Sequence, residues 1–221
     1  MKKLLLPIAS LFFVGSIYSQ GFMADAVNPG SVYRETKLEN VTGSPLMFDT
    51  WQPAKVKIAK GKLITGVLVN FDLIKQKPIY FFNDQSYEFL DELSSIQVNF
   101  DSPKGSQLFT SGFAHKDFSP NTFVEVLNEG NTKLLKWTKK VIIEERGYGA
   151  NVLNKIIETV TQYYIAKGNN ATLIKLGNGA LEDAVGPKNW KQVQAYMKQE
   201  GLNPKQEKDM AKLLAYSNTL M

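Results

Sequence analysis

Between residues 55 and 100 the apolar side chains recur at every second position. Val56 and Ile58 share one face of a first segment, and Gly61 offers a turn. Val67, Val69, Phe71 and Leu73 repeat the pattern, with Leu68, Asn70 and Asp72 on the opposite face. Residues 79–82 are a short aromatic run, and Asn83-Asp84-Gln85-Ser86 is turn chemistry. Tyr87-Glu88-Phe89 resumes the alternation, and Ile96, Val98 and Phe100 continue it. A side-chain period of two, broken by turns every eight to twelve residues, predicts an antiparallel meander with one wet face. Such a sheet must bury its apolar face against something else.

Residues 101–121 are rich in Ser, Gly, Pro and Asn and read as a long loop holding one short strand. Strands resume at residues 123–127 and 134–143, with a turn at Glu129-Gly130-Asn131. Residues 151–160 fit both periods: Val152, Ile156, Val160 and Tyr163 at helical spacing, Ile157, Thr159 and Thr161 at strand spacing. Lys167-Gly168-Asn169-Asn170 is a hairpin signal between two further strands. After Leu176 the period becomes helical. A short helical turn carries Leu181, Ala184 and Val185, and Gly186-Pro187 ends it and opens a helix striped by Trp190, Val193 and Met197. Gly201 is a stop, and Asn203-Pro204-Lys205-Gln206 predicts an N-cap with a capping-box glutamine ahead of a last helix striped by Met210, Leu213 and Leu214.

The N-terminus has the form of a secretory leader. Lys2 and Lys3 precede an uncharged stretch, residues 4–24, whose densest parts are Leu4-Leu5-Leu6 and Leu11-Phe12-Phe13-Val14. Pro7, Ser10, Gly15, Ser16, Ser19 and Gln20 interrupt it, whereas a membrane-spanning helix needs about 20 mostly apolar residues. Cleavage is expected after Ser19, with Ala24-Asp25-Ala26 as the later alternative. Export lowers the net charge from +5 to +3, and that remainder lies beyond Pro187. A neutral body with a mildly basic tail lacks the concentrated patch that nucleic acid demands.

Several chemistries are excluded by composition. The chain has no cysteine and one histidine, so disulfides, thiolate metal sites, cysteine nucleophiles and all-histidine metal sites are out of reach. His115 is the one base available to a Ser–His–Asp arrangement, and no Gly-x-Ser-x-Gly elbow presents a serine to it. Asp91-Glu92 and Glu144-Glu145 are adjacent pairs, which on a strand point to opposite faces and make no glycosidase dyad. Asp49, Asp72 and Asp84 are too scattered for a calcium loop, and Gly147-Tyr148-Gly149 is too short for a phosphate loop. No metal or cofactor is expected. Lys205, Lys208 and Lys212 share one face of the last helix, which reads as a solvated face ahead of a membrane-surface contact.

The stretch from Gly43-Ser44-Pro45-Leu46 through Trp51, the strand pair that follows it to Leu73, and the ending from Leu202 to Tyr216-Ser217-Asn218-Thr219-Leu220 resemble a group of exported proteins of Bacteroidetes type. The resemblance implies export from a Gram-negative cell and a β-rich body with a helical tail. It brings no catalytic residue.

The expected fold is therefore α+β, an antiparallel, curved meander of half-barrel kind with a C-terminal two-helix tail. Residues 1–19 form the leader, 20–53 an extended segment, 54–177 the β body and 178–221 the helical segment packed on it. The expected function is non-enzymatic binding or interaction in the cell envelope, periplasmic or secreted, with an unknown envelope protein as partner. The alternative is a carrier of a lipid or other amphiphile in a hollow lined by Phe71, Tyr80, Phe82, Tyr87, Phe89 and Phe100, and the third reading is a hydrolase using His115.

Overall fold

The computed structural model describes residues 30–35, 40–100, 102, 105–146 and 153–221. The leader, both cleavage points and Gly147-Tyr148-Gly149 lie outside them. The described residues form one open, mixed sheet of eleven strands followed by three helices. The strands are β1 (Val41–Thr42), β2 (Gln52–Ile58), β3 (Leu63–Asp72), β4 (Lys77–Phe82), β5 (Gln85–Glu88), β6 (Leu93–Val98), β7 (Gln107–Thr110), β8 (Val124–Val126), β9 (Thr132–Arg146), β10 (Leu153–Lys167) and β11 (Asn170–Ile174). Their spatial order is β1-β10-β9-β8-β7-β6-β2-β3-β4-β5, and β11 also pairs with β10. All pairings are antiparallel except β1 with β10. The ambiguous residues 151–160 resolve as strand from Leu153 onward, because β10 pairs with β9 along its whole length.

The meander follows the alternation, with one phase slip. Gly66, at φ 82°, sits where the β2–β3 register shifts, so Ile64 and Val67 both face the core although they are three residues apart. Ala54, Val56, Val67, Val69, Phe71, Ile96, Val98 and Phe109 then make a contiguous apolar cluster.

The expected wet face of β3 is corrected. Asn70 and Asp72 are 1% and 0% exposed. Burial of polar groups is tolerated because both are satisfied. The Asn70 amide replaces a strand: its Oδ1 accepts from Phe48 N at 3.1 Å and its Nδ2 donates to Phe48 O at 2.8 Å. It thereby fixes the stretch before β2, where Met47 N donates to Phe71 O and Leu73 N to Pro45 O. Asp72 Oδ1 accepts from the amides of Ile74 and Lys75, both at 2.9 Å, and Oδ2 accepts from the Tyr33 hydroxyl at 2.8 Å. Burial and this bond to the carboxylate push the Tyr33 phenol up.

The sheet bends until the end of β3 meets β9, which lies five strands away in the order. Lys140 N donates to Leu73 O at 3.0 Å, and Trp137 Nε1 donates to Gln76 Oε1 at 2.6 Å. The Lys140 ammonium crosses the gap to the carbonyls of Ser44 and Leu46, and its burial lowers its pKa. No strand pair seals this seam, so the body is a curved, open half-barrel bridged by one backbone bond and these side chains.

The tail has three helices where two were expected: α1 (Asn178–Val185), α2 (Pro187–Gln199) and α3 (Glu207–Asn218). The predicted single turn is a full helix because Leu181, Ala184 and Val185 are all buried. Gly186, at φ 76°, ends α1 and caps α2 with Pro187 in the first turn. Past α2, Leu202 N donates to Met197 O and Gly201 N to Lys198 O, a Schellman ending. The predicted N-cap is also corrected. Asn203 Oδ1 accepts from Lys205 N at 3.1 Å, closing a turn, and α3 starts only at Glu207 with no side-chain cap. Lys205 therefore lies ahead of the helix, and Lys208 and Lys212 are exposed on it.

The helices cover Leu134 of β9 and Ile165 of β10, while Phe113 and Phe118 of the long loop cover Leu135, Trp137 and Tyr164. The paired ends of β9 and β10 are thus buried on both sides. Asn218 ties α3 to the β8–β9 turn: its Oδ1 accepts from Thr132 N at 2.9 Å, and its Nδ2 donates to Glu129 O and Thr132 O. A Cβ at Gly130 would strike this side chain. Asn218→Ala takes the acceptor from the Thr132 amide at a buried turn and is expected to cost about 2–3 kcal/mol in urea unfolding, whereas Lys212→Ala is expected to change the midpoint little.

Candidate binding groove

The six aromatic residues expected to line one hollow have different surroundings. Phe71 is core, 4.6 Å from the Phe109 ring. Tyr80 is also core, stacked on Tyr87 at 5.4 Å and against Phe89 at 4.7 Å, with its hydroxyl accepting from Gly30 N at 3.0 Å. Phe82 and Tyr87 are half-buried against the same cluster. Phe100 lies beneath the Lys55 ammonium, 4.5 Å from its ring centre.

Phe89 lines a surface feature. It is a trough of about 470 Å³, bounded by the start of β4, the β5–β6 connection and the two ends of the long loop. The connection departs from strand alternation, and this departure makes the site. Phe89 turns inward to Tyr80, Leu90 is left 60% exposed, and Leu93 is buried again as β6 begins. Pro78, Phe89, Leu93 and Phe123 supply an apolar floor. Lys77, Glu88, Asp91 and Glu92 supply a charged rim, in which Lys77 Nζ is 2.7 Å from Glu88 Oε2.

The far wall is fixed by the long loop. Ser111 Oγ donates to Leu93 O at 2.9 Å, and Gly112 N donates to Pro120 O at 2.6 Å. Phe123 then leans on Phe71 at 6.3 Å, which couples the wall to the core. In the sequence Asp91 and Glu92 read only as an adjacent pair that makes no dyad, and no motif marks Lys77, Leu90, Leu93 or Phe123. The legible signal was Leu90, an apolar residue out of phase with Tyr87 and Phe89 just before it.

His115 sits on a turn in the long loop, outside the trough. Its Nδ1 is 3.2 Å from the Asp117 amide nitrogen and 3.3 Å from Asp117 Oδ2. These contacts exclude one another, since a nitrogen accepting the amide proton has none to give the carboxylate. Asp117 Oδ2 also accepts from the Tyr164 hydroxyl at 3.1 Å. Burial and that bond push the Tyr164 phenol up, the direction opposite to nucleophile activation. His115 packs edge-on to Tyr164 at 4.8 Å. Among the described residues no group of three or more carboxylates and histidines is placed to hold a metal ion.

The lysine face of α3 borders a smaller depression of about 300 Å³, lined by Leu127, Ala211 and Ala215 and by Lys208 and Lys212. At its upper end Glu207 Oε2 accepts from the Tyr163 hydroxyl at 2.8 Å and lies 3.0 Å from Lys136 Nζ. No helix of the described residues is long and apolar enough to cross a membrane.

Burial, the bond to Glu207 and the charge of that carboxylate push Tyr163 up to about 12 from 10.0. A raised folded-state pKa means the stabilisation is complete below pH 10 and disappears as pH rises through about 12. Chemical unfolding across this window is expected to show the stability gap between the native chain and Tyr163→Phe shrinking as pH rises. Phe71→Ala empties a core site and is expected to cost about 3–5 kcal/mol by the same measurement.

No family model matches the chain, and neither a curated protein nor a solved structure matches it.

Proposed function

We propose that this protein is an exported, non-enzymatic binding protein of the bacterial cell envelope, and that the trough beside Leu90 is where it meets its partner. The observation that carries the reading is the pairing of an apolar floor with an exposed Leu90 at a rigidly held junction. Exposed apolar residues grouped with a polar rim mark interaction sites. The walls are fixed by backbone hydrogen bonds and by contact with the core, so the surface is preformed and needs little ordering to bind. Export is supported by the basic, then uncharged, N-terminus.

Two measurements test this. N-terminal sequencing of protein recovered from the soluble envelope fraction is expected to begin at Gln20, and Met1 retained in the cytoplasmic fraction would overturn export. A pull-down from envelope extract is expected to yield species that the native chain captures and Leu90→Asp does not, with thermal unfolding of the two alike. Equal capture by both, or an apolar ligand carried through purification and seen by native mass spectrometry in place of a protein, would move the site or its class. His115→Ala is expected to leave the captured species unchanged.

A further inference from the structure

The rim of the trough has a sign. Glu88, Asp91 and Glu92 stand against the one cation Lys77, and Lys77 is committed to Glu88 at 2.7 Å. The local balance is two negative charges at the edge of an apolar floor, on a chain whose overall charge is positive. We infer that the trough receives an extended polypeptide segment of a partner protein in which apolar side chains are flanked by lysine or arginine. This rests on the binding reading above.

Three features select that occupant. The floor of Pro78, Phe89, Leu93 and Phe123 takes an apolar side chain, and Leu90 stands beside it as a lip. Asp91 and Glu92 flank the floor on the β5–β6 connection, so a cation next to the anchoring side chain lies against opposite charge and an anion against like charge. Small amphiphiles bury most of their surface in enclosed sites. This trough leaves Leu90 60% exposed, so its occupant needs a larger body to finish covering it.

The test uses the mature chain from residue 20 and two fluorescein-labelled hexapeptides, one with central leucines flanked by lysines and its twin with glutamates in their place. Polarisation titrations are expected to show the lysine peptide bound at least about fivefold more tightly than the twin, the scale of two exposed ion pairs. The preference is expected to weaken with added salt and to be lost in Asp91→Asn/Glu92→Gln. Amide shifts on binding are expected at Glu88, Leu90, Leu93, Ser111 and Phe123. Should the double variant fold poorly, the salt dependence and the shift map on the native chain decide the matter. Equal affinity for the two peptides, no binding of either, shifts elsewhere, or a preference that survives the double variant would each overturn the inference. So would tighter binding of submicellar dodecyltrimethylammonium than of the lysine peptide. If these fail while Leu90→Asp still abolishes capture from envelope extract, the trough remains a binding site for a partner of other charge. If capture is unaffected as well, the binding reading falls with it.

Discussion

The C-terminal end of β3 is a buried polar junction, and the architecture depends on it. Asn70, Asp72 and the β3–β4 turn of Leu73–Gln76 meet three separate pieces of chain there: the strand-like stretch before β2, the segment bearing Tyr33 and the middle of β9. A buried amide or carboxylate left without partners costs several kcal/mol. That penalty makes the junction all-or-none. Asn70 has its pairing only when Phe48 lies alongside, and Asp72 has its full set only when Tyr33 is docked. The sheet is therefore held in a bend that hydrophobic burial alone would specify poorly, since a meander with one apolar face can curl to many degrees.

The bend creates the trough. Curvature brings the wall around Phe123 up against the β5–β6 connection and leaves Leu90 between them. The N-terminal side contributes as well: Gly30 lies so close to the Glu88 carbonyl that no side chain fits, and its amide binds the Tyr80 hydroxyl beneath Phe89. Ser31 and Tyr33 pair with Glu88 and Ser86, which covers the outer edge of β5. A sheet end that would otherwise offer itself to any extended chain is thus occupied, and the accessible surface is narrowed to a side-chain floor with a charged rim.

Asparagine side chains recur as substitutes for backbone. Asn70 pairs with Phe48, Asn128 bridges Thr132 and Leu134, and Asn218 reaches from α3 to Glu129 and Thr132. A carboxamide carries donor and acceptor with the spacing of a peptide group, so it can continue a ladder where the chain turns away. Asn70 and Asn218 join parts far apart in sequence, 22 and 86 residues, whereas Asn128 closes a local turn. These residues look like ordinary turn formers in a linear reading, and their role exists only once both partners are in place.

The alternation in β2, β3 and β6 was legible because a side-chain period of two is a local property, and so were the glycine and proline punctuation of the tail and the hairpin at Gly168. Composition alone removed thiol chemistry. What one dimension could not supply was the identity of the second partner. Residues 151–160 were undecidable until β9 lay beside them, Asn70 and Asp72 were assigned to water until the Phe48 stretch and Tyr33 covered them, and the six aromatics looked equivalent until curvature buried Phe71 and left Phe89 at the surface. The sequence by itself determined the pleat, the turns and the chemistries ruled out, because those follow from neighbours along the chain. Tertiary structure decided the bend, the seam and the trough, because burial and hydrogen-bond partners come from residues that only folding brings together.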